Sequence, residues 1–221
     1  MIDRILRSRK KPLGCVITLP GRGGTGKEMV EIYKESRLTK SLIVGVTPPN
    51  RQWYPLPNGV GDQRAAVSGL DDAIDNVFKT LSRVRHNFGI TSRNTALVGF
   101  SAGAVVALQV AARSEHPFAA VLCHSGAILE PDKLPLCKHP STKILLIHSM
   151  DDTCFYWDER YVPMKEALRA KGYNFMSLER EMGNHGLYHS DMVVAGMFLA
   201  PLLGYPKNWN KAETRVTTEI R

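Results

Sequence analysis

Gly99-Phe100-Ser101-Ala102-Gly103 is a Gly-x-Ser-x-Gly pattern set between an apolar run, Ala96-Leu97-Val98, and a helix-like one, Ala104 to Leu108. A serine on a sharp strand-to-helix turn stands with its hydroxyl exposed. Flanking glycines keep side chains out of its approach, and the helix N-terminus behind it favours negative charge. The chemistry this serves is nucleophilic attack on an acyl carbon. A serine hydroxyl is a weak nucleophile near neutral pH, so it needs a base within hydrogen-bond reach and a third group orienting that base. Downstream of Ser101, the segments His148-Ser149-Met150-Asp151-Asp152 and Glu181-Met182-Gly183-Asn184-His185-Gly186 offer both. Adjacent acids point in different directions, so one of the pair reaches an imidazole. Asp152 is the expected orienting acid, with Asp151 capping or facing solvent and Asp158 capping the helix that follows. His185, in a glycine-flanked loop, is the expected base, whereas His189 reads as a helix-start or surface residue. His148 is placed to buttress the acid loop.

A tetrahedral intermediate needs two N–H donors for its oxyanion. Ala102, directly after the serine, supplies one backbone amide; Arg22, in Pro20-Gly21-Arg22-Gly23-Gly24, supplies the other and leaves its side chain free for a substrate anion. The same glycines fit two rival patterns. A dinucleotide site over Gly21–Gly26 wants an acid about 20 residues on, and the chain there reads Gly45-Val46-Thr47-Pro48-Pro49. A phosphate-binding loop over Gly21–Lys27 wants Ser or Thr after the lysine, and Glu28 stands there. Each fails at the residue that would do its chemistry, so the oxyanion reading is preferred.

These groups require elements that deliver them to one place. Apolar runs predict strands over Leu13–Leu19, Ser41–Val46, Thr95–Phe100, Ala119–His124, Lys143–His148 and Asn174–Arg180. Amphipathic stretches predict helices over Thr25–Arg37, Gln63–Phe88, Ala102–Arg113, Asp158–Lys171 and His189–Leu203. Strands apolar on both faces and separated by helices form a mostly parallel sheet with helices on both sides, here of six to seven strands. Right-handed crossovers then bring every strand's C-terminal end to one rim. Residues 13–203 make a single α/β domain, preceded by a basic segment (1–12) and followed by a polar, loosely held tail (204–221).

The 221 residues, 43% hydrophobic and 23% charged, have ordinary globular composition. No apolar run reaches the roughly 18 residues of a membrane span, and the basic N-terminus runs into a short core strand rather than a signal peptide. The four cysteines, Cys15, Cys123, Cys137 and Cys154, are widely spaced without a Cys-x-x-Cys, which speaks against zinc binding and for a reduced, cytoplasmic setting. The net charge of +8 gathers partly in the two ends. It reads as solvated ends, with a weak contact to an anionic membrane surface kept open; no nucleic-acid motif accompanies it. Neither a cofactor nor a metal is called for, and the chain is expected to act as a monomer or homodimer on a small-molecule or acyl ester.

Leu19-Pro20-Gly21-Arg22-Gly23-Gly24, the Ser101 pentapeptide, His148 to Asp152 and Gly183-Asn184-His185 together resemble the small carboxylesterase, phospholipase and acyl-protein thioesterase group of the α/β-hydrolase superfamily, with dienelactone-hydrolase-like proteins as relatives. The resemblance runs from about residue 13 to 203 and implies Ser101, Asp152 and His185 as the triad. The chain departs from the group in having Pro20 where histidine is usual, Ala102 where glutamine is frequent, and Thr153-Cys154-Phe155-Tyr156 where a Pro-Val-Val-Pro-like stretch follows the acid. The implied activity is serine-dependent hydrolysis of an ester or thioester. A peptidase or acyltransferase on the same scaffold, and a catalytically idle fold used for binding, are the alternatives. The short Gly126–Thr142 connection leaves no room for a bulky lid. Trp53, Tyr54, Met150, Phe155 and Leu187, with Tyr156, Trp157 and Tyr188, flank the rim as candidate walls of an acyl groove.

Overall fold

The structure, a computed structural model, describes residues 2–6, 11–55 and 63–209, with backbone alone at 2–6, 63–66 and 68. Seven strands form one sheet: β1 (Ile2–Leu6), β2 (Cys15–Leu19), β3 (Leu42–Val46), β4 (Thr95–Phe100), β5 (Ala120–His124), β6 (Lys143–Ser149) and β7 (Phe175–Arg180). Their order is β1-β3-β2-β4-β5-β6-β7, and every pairing is parallel except β1 with β3. The helices are α1 (Gly26–Tyr33), α2 (Gln63–Phe88), α3 (Ala102–Arg113), α4 (Val162–Ala170) and α5 (His189–Leu202). This is the α/β-hydrolase architecture that the resemblance implies.

Side chains alternate across each strand, and the buried residues sort accordingly. Ile17, Val44, Leu97, Val121 and Leu146 face α2, α3 and α4. Val16, Ile43, Val98, Leu122 and Ile147 face α1 and α5. Strands buried on both faces therefore read as unbroken apolar runs, which is why the central ones are legible. β7 differs: it is an edge strand with Met176 and Leu178 exposed.

Local chemistry sets the element ends. Thr25 accepts the Glu28 N–H while the Glu28 carboxylate accepts the Thr25 N–H, a capping box at the start of α1. Glu28, which broke the phosphate-loop pattern, thus has a structural task. α2 closes at Gly89, whose φ of +67° suits glycine.

Three expectations change. The segment 1–12 is not merely a basic leader to the domain: Ile2–Leu6 extends the sheet, antiparallel to β3. Its interrupted apolar pattern, Ile-Asp-Arg-Ile-Leu, hides an edge strand among charges. The tail beyond Gly204 docks as far as Trp209: Tyr205 is buried, its hydroxyl accepts the Lys40 N–H at 2.8 Å and sits 3.0 Å from Ser41 Oγ, and Trp209 packs on the same core. Residues 210–221 lie outside the described residues. Finally, Asp158 caps nothing. A π-type turn, Trp157–Tyr161, leads into α4 and starts at Tyr156 without a side-chain cap bond.

The Gly126–Thr142 connection holds only a short 3-10 turn at Pro131–Lys133, so among the described residues no large lid covers the rim. Among the described residues no helix is long and apolar enough to cross a membrane.

Candidate active site

β4 ends at Phe100 and α3 starts at Ala102, so Ser101 makes the whole turn. Its backbone sits at φ +54° and ψ −122°, a conformation costly for a residue with a Cβ. The strain is held by packing. A Cβ on Gly103 would lie 2.2 Å from the Leu19 carbonyl oxygen, and one on Gly99 would lie 2.3 Å from the Gly103 carbonyl oxygen. Only glycines let β2, β4 and α3 meet this closely. The Ser101 N–H donates to the His124 carbonyl at 2.9 Å, tying the turn to β5. The Ala102 amide, first in α3, has no helical carbonyl to bond and points with the helix dipole toward the rim.

Asp152 follows β6 and His185 follows β7, so both come to the rim that carries Ser101. His185 Nε2 is 2.8 Å from Ser101 Oγ, and His185 Nδ1 lies 2.8 and 3.0 Å from the two Asp152 oxygens. Asp152 Oδ1 also accepts the Cys154 and Phe155 amides, each at 2.8 Å. Burial pushes the Asp152 carboxyl upward, but the His185 hydrogen bond and these amides outweigh it and hold the group below the ordinary carboxylate value. The carboxylate therefore stays ionised beside the ring, favouring the proton on Nδ1 and leaving the Nε2 lone pair directed at Ser101 Oγ.

Around this relay the rings of Phe100 and Phe155 lie 5.1 and 5.8 Å from that of His185. Phe100, the variable residue of the pentapeptide, is a contact that the sequence reading passed over. His148 buttresses the acid loop, with Nε2 2.9 Å from the Phe155 carbonyl and 3.7 Å from Asp152, its ring stacked on Tyr161 at 4.3 Å. Burial pushes its pKa down, keeping it neutral.

Asp151 neither caps a helix nor merely faces solvent. Its carboxylate accepts the Gly183 N–H at 3.2 Å and the Asn184 N–H at 2.7 Å. Asn184, at φ +46°, in turn accepts the His185 N–H and the Thr153 hydroxyl, each at 2.8 Å. The adjacent acids thus act on one loop, Asp152 on the ring and Asp151 on its backbone. On the far side, Arg180 Nη1 bridges both Asp191 oxygens at 2.9 and 3.1 Å, and Asp191 accepts the Tyr188 N–H at 3.0 Å. Asp191 and Arg180 had no sequence signal beyond being an acid and a base near element ends. His189 is exposed and pairs with Glu35 at 2.7 Å.

In the loop after β2, the Gly23 N–H is taken by Arg51 and the Gly24 N–H by Gly21, which leaves the Arg22 amide uncommitted among the described residues. A Cβ on Gly21 would be 3.3 Å from Ser101 Cβ, so the loop passes directly beside Ser101.

The groove candidates scatter. Trp53 is buried, and its Nε1–H donates to the Pro20 carbonyl at 2.7 Å, bracing the glycine loop. Tyr54 is buried beside it, and both line a cleft of about 890 Å³ between the Thr47–Pro55 segment and α2. Met150 is half exposed on a shallow depression with Asp151, Tyr156 and Trp157. Leu187 packs with Phe100 on the α1/α5 face of the core. Of the five, Phe155 alone has a ring contact with the relay.

The phospholipase/carboxylesterase family profile matches residues 2–190. Among solved structures, the esterase PE8 superposes with a TM-score of 0.78 at 23% identity, over 90% of this chain and 97% of that one. A Bacillus cereus carboxylesterase gives 0.76 at 13% identity, over 91% and 95%. Arabidopsis thaliana SOBER1 gives 0.73 at 17% identity, over 86% and 99%. At such identities the superpositions speak for the fold.

Proposed function

The chain belongs to the phospholipase/carboxylesterase family, and we propose that it cleaves carboxylic ester or thioester bonds of small or acyl-chain substrates through an acyl-enzyme on Ser101. The observation that carries this reading is the unbroken relay from Ser101 Oγ through His185 to Asp152, with 2.8 Å at each step, set on a strained turn at a helix N-terminus. His185 Nε2 takes the serine proton as Oγ attacks the acyl carbon. The resulting oxyanion is held by the Ala102 and Arg22 amides, each worth roughly 3 kcal/mol of barrier in comparable sites. Asp152 stabilises the imidazolium, which then protonates the leaving alcohol or thiol. Water, activated by the same nitrogen, releases the acid. The reaction uses no cofactor.

Phe155, Met150 and the Trp53–Tyr54 cleft are the surfaces on which the acyl chain would lie. Free thiols at Cys15, Cys123, Cys137 and Cys154 suit a reducing compartment, and the cytoplasm is the location proposed. The basic ends fit a weak, salt-sensitive contact with anionic lipid.

The test is direct. A fluorophosphonate probe should label the wild type stoichiometrically at Ser101, and Ser101→Ala should abolish turnover of a short-chain p-nitrophenyl ester while the circular dichroism spectrum is kept. Undiminished turnover in that variant, or a folded wild type that neither turns over nor labels, overturns the reading. A graded series of acyl esters and acyl-CoA thioesters then sizes the groove and separates ester from thioester preference.

A further inference from the structure

Two residues after the acid, Cys154 brings a thiol to the relay. Its sulfur, an Asp152 oxygen and a His185 ring nitrogen all lie within 4.8 Å of one another. Asp152 is buried and Cys154 exposed, so the thiol forms the solvent-facing member of the group. We propose that these three side chains form an inhibitory site for a thiophilic divalent cation, with zinc the metal that the donor set fits. One thiolate, one imidazole and one carboxylate, with water in the fourth position, complete a tetrahedral zinc centre.

Tetrahedral bonds of about 2.0–2.3 Å place ligand atoms roughly 3.3–3.8 Å apart. The Nδ1 to Asp152 distance of 2.8 Å must therefore open by about half an ångström, and the exposed thiol must swing inward. The cation replaces the proton that Nδ1 shares with the carboxylate. The thiol loses its proton to solvent, the imidazole proton moves from Nδ1 to Nε2, and one proton is released per cation bound. Nε2, which faces Ser101 Oγ at 2.8 Å, then carries hydrogen and has no lone pair for the serine. Hydrolysis stops because the base is in the wrong tautomer. Burial and the Asp152 charge raise the Cys154 thiol, and the Arg22 charge opposes that rise. Arg22 also repels a cation, so thiolate coordination rather than net negative charge has to supply the affinity.

Binding is independent of the esterase reading; inhibition rests on it. Reduced, chelator-treated protein is titrated with zinc by calorimetry and with cobalt(II) by absorption, where a thiolate ligand gives a near-ultraviolet charge-transfer band. One equivalent should bind, with that band present. Cys154→Ser and His185→Gln should each weaken binding roughly tenfold or more, and Cys154→Ser should lose the band. Cys137→Ser, which removes the other partly accessible thiol, should change neither. Ester turnover should fall with the zinc titration's midpoint and return on adding EDTA. A missing cobalt–thiolate band, a band that survives Cys154→Ser, or saturated binding with undiminished turnover overturns the proposal. Binding as described in a protein that turns over no ester leaves the metal site standing and removes the esterase reading.

Discussion

The two halves of the relay are held in place by different physics. Ser101 sits where three backbones meet. Its strained φ/ψ is kept by Gly99, packed against the Gly103 and Ala104 backbone, by Gly103, packed against the Leu19 and Pro20 backbone, and by the His124 carbonyl on its amide. His185, flanked by the Phe100 and Phe155 rings, sits in a loop held by carboxylates: Asp152 on the ring, Asp151 on the loop backbone, and the Asp191–Arg180 pair beyond Tyr188. A nucleophile placed by close packing cannot drift without unfolding its surroundings. An imidazole placed by hydrogen bonds can tilt as it takes and returns a proton. Perturbing the first region should show in stability, and perturbing the second in rate.

The largest effect is expected at the ring. Asp152→Asn keeps an oxygen for the Cys154 and Phe155 amides but turns an amide N–H toward His185 Nδ1. The ring then carries its proton on Nε2, and kcat on a p-nitrophenyl ester should fall by on the order of 10⁴ with the fold intact. A fall of less than tenfold would mean that another group orients the ring.

Next comes Gly103→Ala. In an ordinary helix the change stabilises by up to about 1 kcal/mol. Here the new methyl would meet backbone oxygens of Leu19 and Pro20 at 2.2 and 2.5 Å, so a loss of about 3 kcal/mol is expected in urea unfolding. Gly186→Ala is the counterpart in the His185 loop. Its methyl would meet the Tyr188 side chain first, at 2.9–3.1 Å, rather than backbone, and should cost less than about 1 kcal/mol. Equal losses at the two sites would erase the distinction drawn between them.

What the sequence discloses follows the same division. The central strands, the helices and the serine turn are visible because both-face burial and close backbone approach demand particular residue types in a row. β1 was hidden because an edge strand with Asp3 and Arg4 in it shows no clear period. Asp152 and His185 were legible from order along the chain and from their place after strand ends. Asp151 was not: a carboxylate that binds loop amides needs only reach, and nothing in its neighbours distinguishes that from a solvent-facing acid. An aromatic or apolar residue in a rim loop has the same sequence appearance whether it meets substrate or braces a loop, so the Trp53 bond to the Pro20 carbonyl and the packing of Leu187 on the core had no sequence signal of their own.

The histidine behind the serine turn gives a pH test of the packed region. His124 is fully buried, with Nε2 2.7 Å from the Tyr33 hydroxyl, and burial, aided by the Arg180 charge, pushes its pKa from 6.5 to about 3. The unfolded chain binds a proton there near pH 6.5 and the folded one does not. The stability it contributes is therefore complete above pH 6.5 and is lost as pH falls toward 3. Between pH 7 and 5 the loss should be about 2 kcal/mol, read by denaturant unfolding at the two values. His124→Gln should flatten that slope. An unchanged slope would locate the acid sensitivity elsewhere, and Asp152, whose folded pKa lies below its ordinary value, acts only at lower pH.

The smallest effect separates the two neighbouring acids. Asp151→Ala removes both acceptors from the Gly183 and Asn184 amides while leaving the Asp152–His185 contact chemically intact. Asp151 is exposed and water can replace it, so the folded state should lose no more than about 1 kcal/mol. The rate should be more sensitive, because Asn184, in a left-handed conformation, holds the His185 amide through its own side chain, and freeing it lets the ring wander from Ser101. Misplacement on that scale costs roughly tenfold or more in kcat. Asp151→Asn retains one acceptor and should recover part of the loss. If Asp151→Ala instead leaves kcat untouched, the Thr153–Asn184 bond, the Asp152 contact and the Arg180–Asp191 pair hold the loop without it, and the hydrogen-bonded half of the relay is more rigid than its exposed position implies.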